Sequence, residues 1–301
     1  NSITSEIVKE LNESPQIGYE IKLWLKQGLN DPAMKNLHAL VRKNDINIIL
    51  IPADFKRDQV LTKAFYELFT AGVEIRDLPN FYELVFRKVP LAHIQEIWFL
   101  ENNLGPRRFY DDLKRGIEIV AALVLGILFL PLQLLVAIAI RLTSSGPIIY
   151  RQTRVGKNGV LFTLYKFRTM VASAEKDGAQ WAQLNDSRST PVGRFLRYTH
   201  LDELPQIINI LNDELSFVGP RPERPEFVTI LEKKVPHYNI RHLVKPGVTG
   251  WAQIHHNYSA SEADTNEKVQ YDIYYLKNRS LILDVAILLK TIKSFFVNKK
   301  K

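Results

Sequence analysis

Apolar and polar positions alternate in short blocks along most of this chain, with one exception. From Ile119 to Ile140 every position is apolar or small except Gln133, and Pro131 sits near the middle of that run. Elsewhere the pattern predicts ordinary elements. Asn47-Ile-Ile-Leu-Ile51 reads as a short strand. Lys56 to Thr70 has helical spacing, with Val60, Leu61, Phe65, Leu68 and Phe69 on one face. Gly72 ends that helix and Val73-Glu-Ile75 is a second strand, a β-α-β order that predicts a piece of parallel sheet. No G-x-G-x-x-G opens the helix, so nothing in it signals dinucleotide binding. Tyr165-Lys-Phe-Arg-Thr-Met170 alternates, which predicts a strand with Lys166 and Arg168 on one face. Between Tyr271 and Ile292 the residues Tyr274, Tyr275, Leu281, Val285, Leu288 and Leu289 keep helical spacing, as in a packed or interfacial helix.

The long run decides the class of protein. Its 22 residues would rise roughly 33 Å as one helix, enough to cross a hydrocarbon core. A buried core helix fits poorly, because the run is apolar almost all round. Two features argue against a simple span. Arg107, Arg108, Lys114 and Arg115 precede the run, and Arg141, Arg151, Arg154 and Lys157 follow it. Basic flanks favour the cytoplasmic side, and a single span would force one cluster across. Pro131 also removes a helical hydrogen bond and clashes with the carbonyl four residues back, so a kink is expected there. Each half then reaches roughly 17 Å, half a bilayer. The reading is a re-entrant helix–break–helix, with Gln133 a candidate partner for backbone groups freed at Pro131.

Composition sharpens this only in part. The chain has 301 residues, 46% of them hydrophobic, no cysteine and a formal net charge of +8. Disulfides and thiolate metal sites are excluded. The charge favours an anionic partner: phosphate-bearing substrates, anionic lipid or nucleic acid. A nucleic-acid partner is rejected, since no zinc finger, basic recognition helix or aromatic RNA-binding signature is present. The tail from Lys290 to Lys301 carries five lysines and no acid, suiting either anionic-lipid contact or simple solubility. The first residue is Asn1, and we expect the protein to extend upstream of it. The zones expected are 1–100, an α/β domain; 101–115, a basic linker; 116–141, the re-entrant helix; and 142–301, a second domain of water-compatible composition.

Candidate chemistry concentrates after the run, in Arg194-Phe-Leu-Arg-Tyr-Thr-His-Leu-Asp-Glu-Leu-Pro205. Pro205 belongs in a first helical turn, so a helix should start at about Leu201 to Leu204. Asp202 and Glu203 would then sit at its N-terminus, where N–H groups attract anions. Two readings stay open. Asp202 is an N-cap, or part of a Thr199-x-x-Asp202 capping box. Alternatively, Asp202 is a nucleophile toward phosphorus and Glu203 holds Mg²⁺. Val218-Gly-Pro-Arg-Pro-Glu-Arg-Pro225 is a rigid turn that would fix Arg221, and arginine's planar fork suits phosphate. Pro246-Gly-Val-Thr-Gly-Trp-Ala-Gln-Ile254 reads as a second glycine turn leading into a strand. His255 and His256, adjacent on that strand, would point to opposite faces and make a poor metal site. Trp181 and Trp251 are assigned to cores.

Taken in order, Arg151-x-x-Arg-x-Gly156, Lys166-Phe-Arg-Thr-Met170, Leu201-Asp-Glu-Leu-Pro-Gln206, Ser216-Phe-Val-Gly-Pro-Arg-Pro222, Pro246-Gly-Val-Thr-Gly-Trp-Ala-Gln253 and Tyr271-Asp-x-Tyr-Tyr275 strongly resemble the bacterial sugar transferases, the monotopic phosphoglycosyl transferases. The resemblance covers residues 110–292. Residues 45–100, with Asp77-Leu-Pro-Asn-Phe-Tyr-Glu83 and Lys88-Val-Pro-Leu91, look like the end of the extra Rossmann-like domain of long exopolysaccharide-type members. The resemblance implies an α/β N-terminal fragment plus a helix-rich α+β catalytic domain. It implies transfer of a sugar-1-phosphate from a UDP-sugar, UDP-glucose or UDP-galactose first, to undecaprenyl phosphate with Mg²⁺. Asp202 would attack the sugar-bearing phosphorus and release UMP, opening exopolysaccharide or O-antigen assembly. Glu203 would assist through Mg²⁺ or the proton, with both carboxylates as candidate metal ligands. Arg197 and Arg221, and more loosely Lys166 and Arg168, would hold phosphates. The implied setting is the bacterial inner membrane, catalytic domain facing the cytoplasm, lipid as a partner and a homodimer as a candidate assembly. Asp213-Glu-Leu-Ser216 replaces the family's usual Gly-Asp-Met-Ser, and Ile-His-His-Asn-Tyr-Ser259 follows Gln253 where many members carry Asn-Gly-Arg. A catalytically silent scaffold is the rival reading, and an intact Asp202-Glu203 pair argues against it.

Overall fold

A computed structural model describes residues 2–25, 36–52, 59–102, 104–171, 174, 186–256 and 262–297. Trp181, the start of the predicted helix at Lys56, and the end of the lysine-rich tail lie outside these residues. The chain forms a helix-rich α/β structure with small sheets and divides into two compact units, residues 1–96 and 97–301.

In the first unit, helices α1 (Ser2–Glu13) and α2 (Leu37–Lys43) precede strand β1 (Ile48–Ile51), helix α3 (Gln59–Thr70), strand β2 (Glu74–Asp77) and helix α4 (Leu78–Phe86). The strands pair in parallel, with Ile48 opposite Glu74 and Ile51 opposite Asp77, as the β-α-β order predicts. Phe65 and Leu68 of α3 are buried with Val41, Ile51 and Val73, whereas Phe69 is exposed and does not join their face. Gly72 follows α3 with φ 90°, a left-handed conformation that glycine adopts without strain. Asp77 caps α4 by accepting from the Asn80 N–H at 2.8 Å.

Helix α5 (Glu96–Glu101) is followed by the apolar region, which forms two helices, α6 (Arg108–Leu128) and α7 (Leu130–Thr143). Among the described residues, no single helix is long and apolar enough to cross a membrane; the pair passes that test together but is bent by 58°. The break is at Phe129 (φ −90°, ψ 3°), two residues before the predicted kink. Pro131 occupies the first turn of α7, where its missing N–H costs least. Among the described residues, Gln133 bonds there through its backbone N–H, which donates to the Phe129 carbonyl at 2.9 Å.

Strands β3 (Ile149–Val155) and β4 (Leu161–Phe167) form an antiparallel hairpin with Ile149 opposite Phe167. Helix α8 (Pro191–Thr199), a 3₁₀ turn at Leu201–Gln206 and helix α9 (Ile207–Leu211) follow. Strand β5 (Ser216–Val218) pairs in parallel with β6 (Gly247–Thr249), flanking helix α10 (Pro225–Lys234). Helix α11 (Trp251–His255) comes next, where the sequence predicted a strand. The region from Tyr271 to Ile292 is two helices, α12 (Glu262–Asn278) and α13 (Leu281–Val297). Tyr275 and Ile287 are buried there, while Val285 and Leu289 are exposed.

The two helices of the bent pair pack on the rest of this unit along one side only. Ala122 joins Phe162, Leu164, Ile210 and Leu215. Val136 and Ile140 join Phe167 and Leu196. Their other side leaves Val120, Val124, Ile127, Leu134, Leu135 and Ile138 exposed, a contiguous apolar surface of the kind that marks an interaction face.

Candidate active site

The Asp202-Glu203 pair is placed by the joint between two helices. Thr190 caps α8, its Oγ1 accepting from the Gly193 N–H at 2.9 Å. The helix ends at His200, which takes a left-handed φ of 55° and turns the chain into the 3₁₀ turn. A helical segment therefore starts at Leu201, as Pro205 predicts, though its first six residues are 3₁₀ rather than α. The capping reading of Asp202 fails. His200 is the residue at the cap position, without a side-chain cap bond, and the Thr199 hydroxyl donates backward to Phe195 O at 2.8 Å.

Asn209, which is fully buried, docks this segment on β4. Its Nδ2 donates to Thr163 O at 2.7 Å and its Oδ1 accepts from the Tyr165 N–H at 3.1 Å, so one side chain imitates a neighbouring strand. Its other amide hydrogen reaches Glu214 at 2.7 Å. The contact fixes the carboxylates against the next residue of the strand, Lys166.

Lys166 Nζ donates to Glu203 Oε1 at 2.8 Å, and Arg221 Nη2 donates to the same oxygen at 3.1 Å. Burial alone would raise the Glu203 pKa, but the two cations outweigh it and hold the carboxyl well below its usual range. The Glu203 carboxylate in turn raises Arg221 above the usual arginine value. Asp202 is also buried, yet it makes no hydrogen bond or ion pair among the described residues. Burial pushes its carboxyl above the ordinary aspartate value, against the pull of Lys166. Adjacent carboxylates are thus driven in opposite directions by their surroundings, the pattern that separates chemical roles in a site.

Arg221 rides on a turn held almost carbonyl by carbonyl. Gly219 N–H donates to Thr249 O and Gly247 N–H to Pro220 O, both at 2.9 Å. Arg241 Nη2 donates to Arg221 O at 2.9 Å, and Arg154 Nη1 to Pro222 O at 2.8 Å. Asp272 braces Arg241 at 2.8 Å. A Cβ on Gly247 would lie 2.1 Å from Gly219 N, so the two glycine turns are packed backbone on backbone. Sequence reasoning missed Arg241, Arg154, Asn209 and Asp272 as supports; a polar Asn209 inside the apolar run Ile207 to Leu211 was the available signal.

Two predicted phosphate-binding residues bond to groups other than Asp202 and Glu203. Arg168 is buried, and its Nη2 donates to Ser144 O at 2.9 Å and Ser144 Oγ at 2.7 Å, beyond the end of α7. Its Nε and Nη1 have no hydrogen-bond partner among the described residues. Arg168 and Lys166 share a strand parity, but β4 ends at Phe167 and the two side chains reach different segments. Arg197 Nη1 donates to Ser189 Oγ at 3.0 Å. His255 lies at the end of a helix, its ring stacked on Tyr271, with Nδ1 at 2.9 Å from Trp251 O. Trp251 is buried and stacks on Tyr274. No group of three or more histidines or carboxylates gathers among the described residues. Two adjacent carboxylates do suit Mg²⁺, which is commonly held by one or two carboxylates plus substrate phosphates.

The chain is 40% identical over 266 residues to a UDP-N-acetylgalactosamine-undecaprenyl-phosphate N-acetylgalactosaminephosphotransferase of Aeromonas hydrophila, covering 85% of this chain and 61% of that protein. It is 42% identical over 191 residues to the UDP-glucose:undecaprenyl-phosphate glucose-1-phosphate transferase of Escherichia coli K12, covering 62% of this chain and 41% of that protein. It is 33% identical over 309 residues to the protein of the same name from Klebsiella pneumoniae, covering 97% and 65%. The chain thus spans less than two thirds of the length of each. The bacterial sugar transferase family matches residues 109–298, which include every residue of the site, and the chain belongs to that family.

Proposed function

We propose that this protein transfers a sugar-1-phosphate from a UDP-sugar to undecaprenyl phosphate through a phosphosugar–Asp202 intermediate. The observation that carries the reading is the division of labour between neighbours. Glu203 takes both cations, which leaves Asp202 a buried, poorly solvated carboxylate with no side chain bonded to its oxygens among the described residues. An Asp202 oxygen attacks the sugar-bearing phosphorus, the bond from that phosphorus to the bridging oxygen breaks, and UMP leaves. A phosphate oxygen of the lipid then attacks the same phosphorus and releases Asp202, giving undecaprenyl diphospho-sugar. Lys166 and Arg221 supply positive charge in a low-dielectric setting, where it stabilises the crowded phosphoryl charge most. Mg²⁺, held by Glu203 and Asp202 together with donor phosphates, would neutralise the diphosphate. Arg168 and Arg197 remain candidate phosphate ligands, Arg168 with two buried nitrogens to spare.

The relatives' names support the acceptor and the donor class, and divide over the sugar. UDP-glucose and UDP-galactose are the proposed donors, with UDP-N-acetylgalactosamine the third to compare. The product would open exopolysaccharide or O-antigen assembly; a relative of 36% identity from Rhizobium leguminosarum is named an exopolysaccharide production protein. The bent α6–α7 pair is proposed to enter one leaflet and return, seating the site at the cytoplasmic interface. The first unit is proposed to be a Rossmann-like fragment.

UMP release measured over a panel of UDP-sugars, with and without undecaprenyl phosphate, tests the reaction. A phosphosugar adduct should be trapped on Asp202 when the lipid is withheld, as a two-step exchange requires. Full activity in Asp202→Asn would overturn the assignment.

A further inference from the structure

The foot of α6 is built inside out. Ile117, Val120 and Val124 point outward and are exposed, while Lys114, Glu118 and Ala122 face the protein. Lys114 Nζ donates to Val218 O at 2.8 Å and to the Tyr275 hydroxyl at 3.0 Å, and lies 3.0 Å from Asp284 Oδ2. An ammonium has three hydrogens, and each has a partner. The hydroxyls of Tyr110 and Tyr275 both donate to Asp284, each at 2.8 Å. One turn further, Glu118 Oε1 accepts from the Ser216 hydroxyl and from the Phe217 N–H at 3.1 Å. Arg115 donates to Ile210 O at 2.6 Å and Leu211 O at 3.0 Å, capping α9.

These bonds fall on two segments that matter to the site. Ser216 to Val218 is β5, which runs directly into the turn carrying Arg221. Ile210 and Leu211 close the helical segment that begins with the Asp202-Glu203 turn. A buried ammonium is costly unless its bonds are complete, so a cluster this well satisfied constrains geometry more than it adds net stability.

We infer that Lys114 is a positioning residue for the transfer reaction, acting through Arg221, with Arg115 holding the Glu203 side. The apolar hairpin and the phosphate-binding turn are thereby one mechanical unit: the helix that enters the lipid also sets the gap between Arg221 and Glu203. This inference rests on the proposed reaction.

A double-mutant cycle tests it. UMP release is timed for wild type, Lys114→Met, Arg221→Ala and the double variant in lipid nanodiscs, with thermal unfolding followed in parallel. Lys114→Met is expected to lose about 10- to 100-fold in rate, the range for groups that orient a functional ligand. In the Arg221→Ala background the same change should cost less than about threefold, because the residue it positions is gone. If Arg221→Ala is too slow to time, Arg221→Lys replaces it. If Lys114→Met does not fold, Tyr275→Phe removes one of the ammonium's partners in a milder way and carries the cycle. Losses that multiply, or no loss in a folded variant, overturn the positioning role. Wild type that releases UMP from no UDP-sugar overturns the reaction itself, and the positioning role with it.

Discussion

Lys166 donates to Glu203 at 2.8 Å across 37 residues of sequence, and in doing so leaves Asp202 unpaired. A lysine that bonded both carboxylates would damp the proposed nucleophile. Bonding only the second one lowers the charge cost of the pair while keeping one oxygen acid free to react. The relationship also ties the acidity of Asp202 to a residue it does not touch, since Lys166 is the strongest influence holding the Asp202 pKa down against burial.

Lys166→Met should therefore move the acid limb of the rate–pH profile upward. In the proposed reaction the attacking form of Asp202 is the ionised one, and burial already raises its pKa. Removing the cation lets it rise further, so activity should fail at a higher pH than in wild type. The rate at the optimum should fall by about a hundredfold, the scale for losing one charge-stabilising donor. An unchanged limb would mean that Asp202 is not the titrating group.

Asp202→Asn should make the fold more stable at neutral pH. A group whose folded pKa is raised stabilises the fold below its unfolded pKa and loses that contribution as pH rises through the folded value. At neutral pH the ionised Asp202 thus costs stability that asparagine does not. The difference in Tm between variant and wild type should shrink as pH falls below the ordinary aspartate value. A variant less stable than wild type at pH 7 would contradict the desolvated state assigned to this carboxylate.

Asn209→Leu should unfold at lower temperature and lose activity together. The substitution keeps volume roughly constant but leaves Thr163 O and the Tyr165 N–H without their partner. Each buried unpaired group costs about 1–3 kcal/mol. Thermal unfolding and UMP release on the same preparation would show both effects. Lost stability with full activity would mean that the strand contact does not place the carboxylates.

The proposed re-entrant course of the bent pair makes a topological prediction. Single cysteines at Gly105 and Tyr150, on either side of the bent pair, should react with a membrane-impermeant reagent from the same face of sealed vesicles. Labelling from opposite faces would establish a span instead.

Local signals were strong where the physics is local. A 22-residue apolar run, the β-α-β order of the first unit, the helix start near Leu201 and the rigidity of the turn around Arg221 all follow from side-chain periodicity and proline geometry over a few residues. The six ordered motifs identified the family for the same reason. The break fell at Phe129 and not Pro131 because a proline is accommodated in the first turn of the next helix, so the strain is released upstream. The fate of the basic residues was not legible at all. Lys114, Arg115 and Arg154 count equally in a charge tally, yet each is turned inward onto backbone carbonyls. Arg168 and Lys166, two residues apart, go to different segments, Ser144 after α7 and Glu203 in the 3₁₀ turn. Composition and spacing specify which groups can carry charge and which stretches prefer an apolar medium. Which carbonyl a guanidinium meets, and which of two carboxylates is left without a cation, depends on segments far apart in sequence that meet only when the core closes.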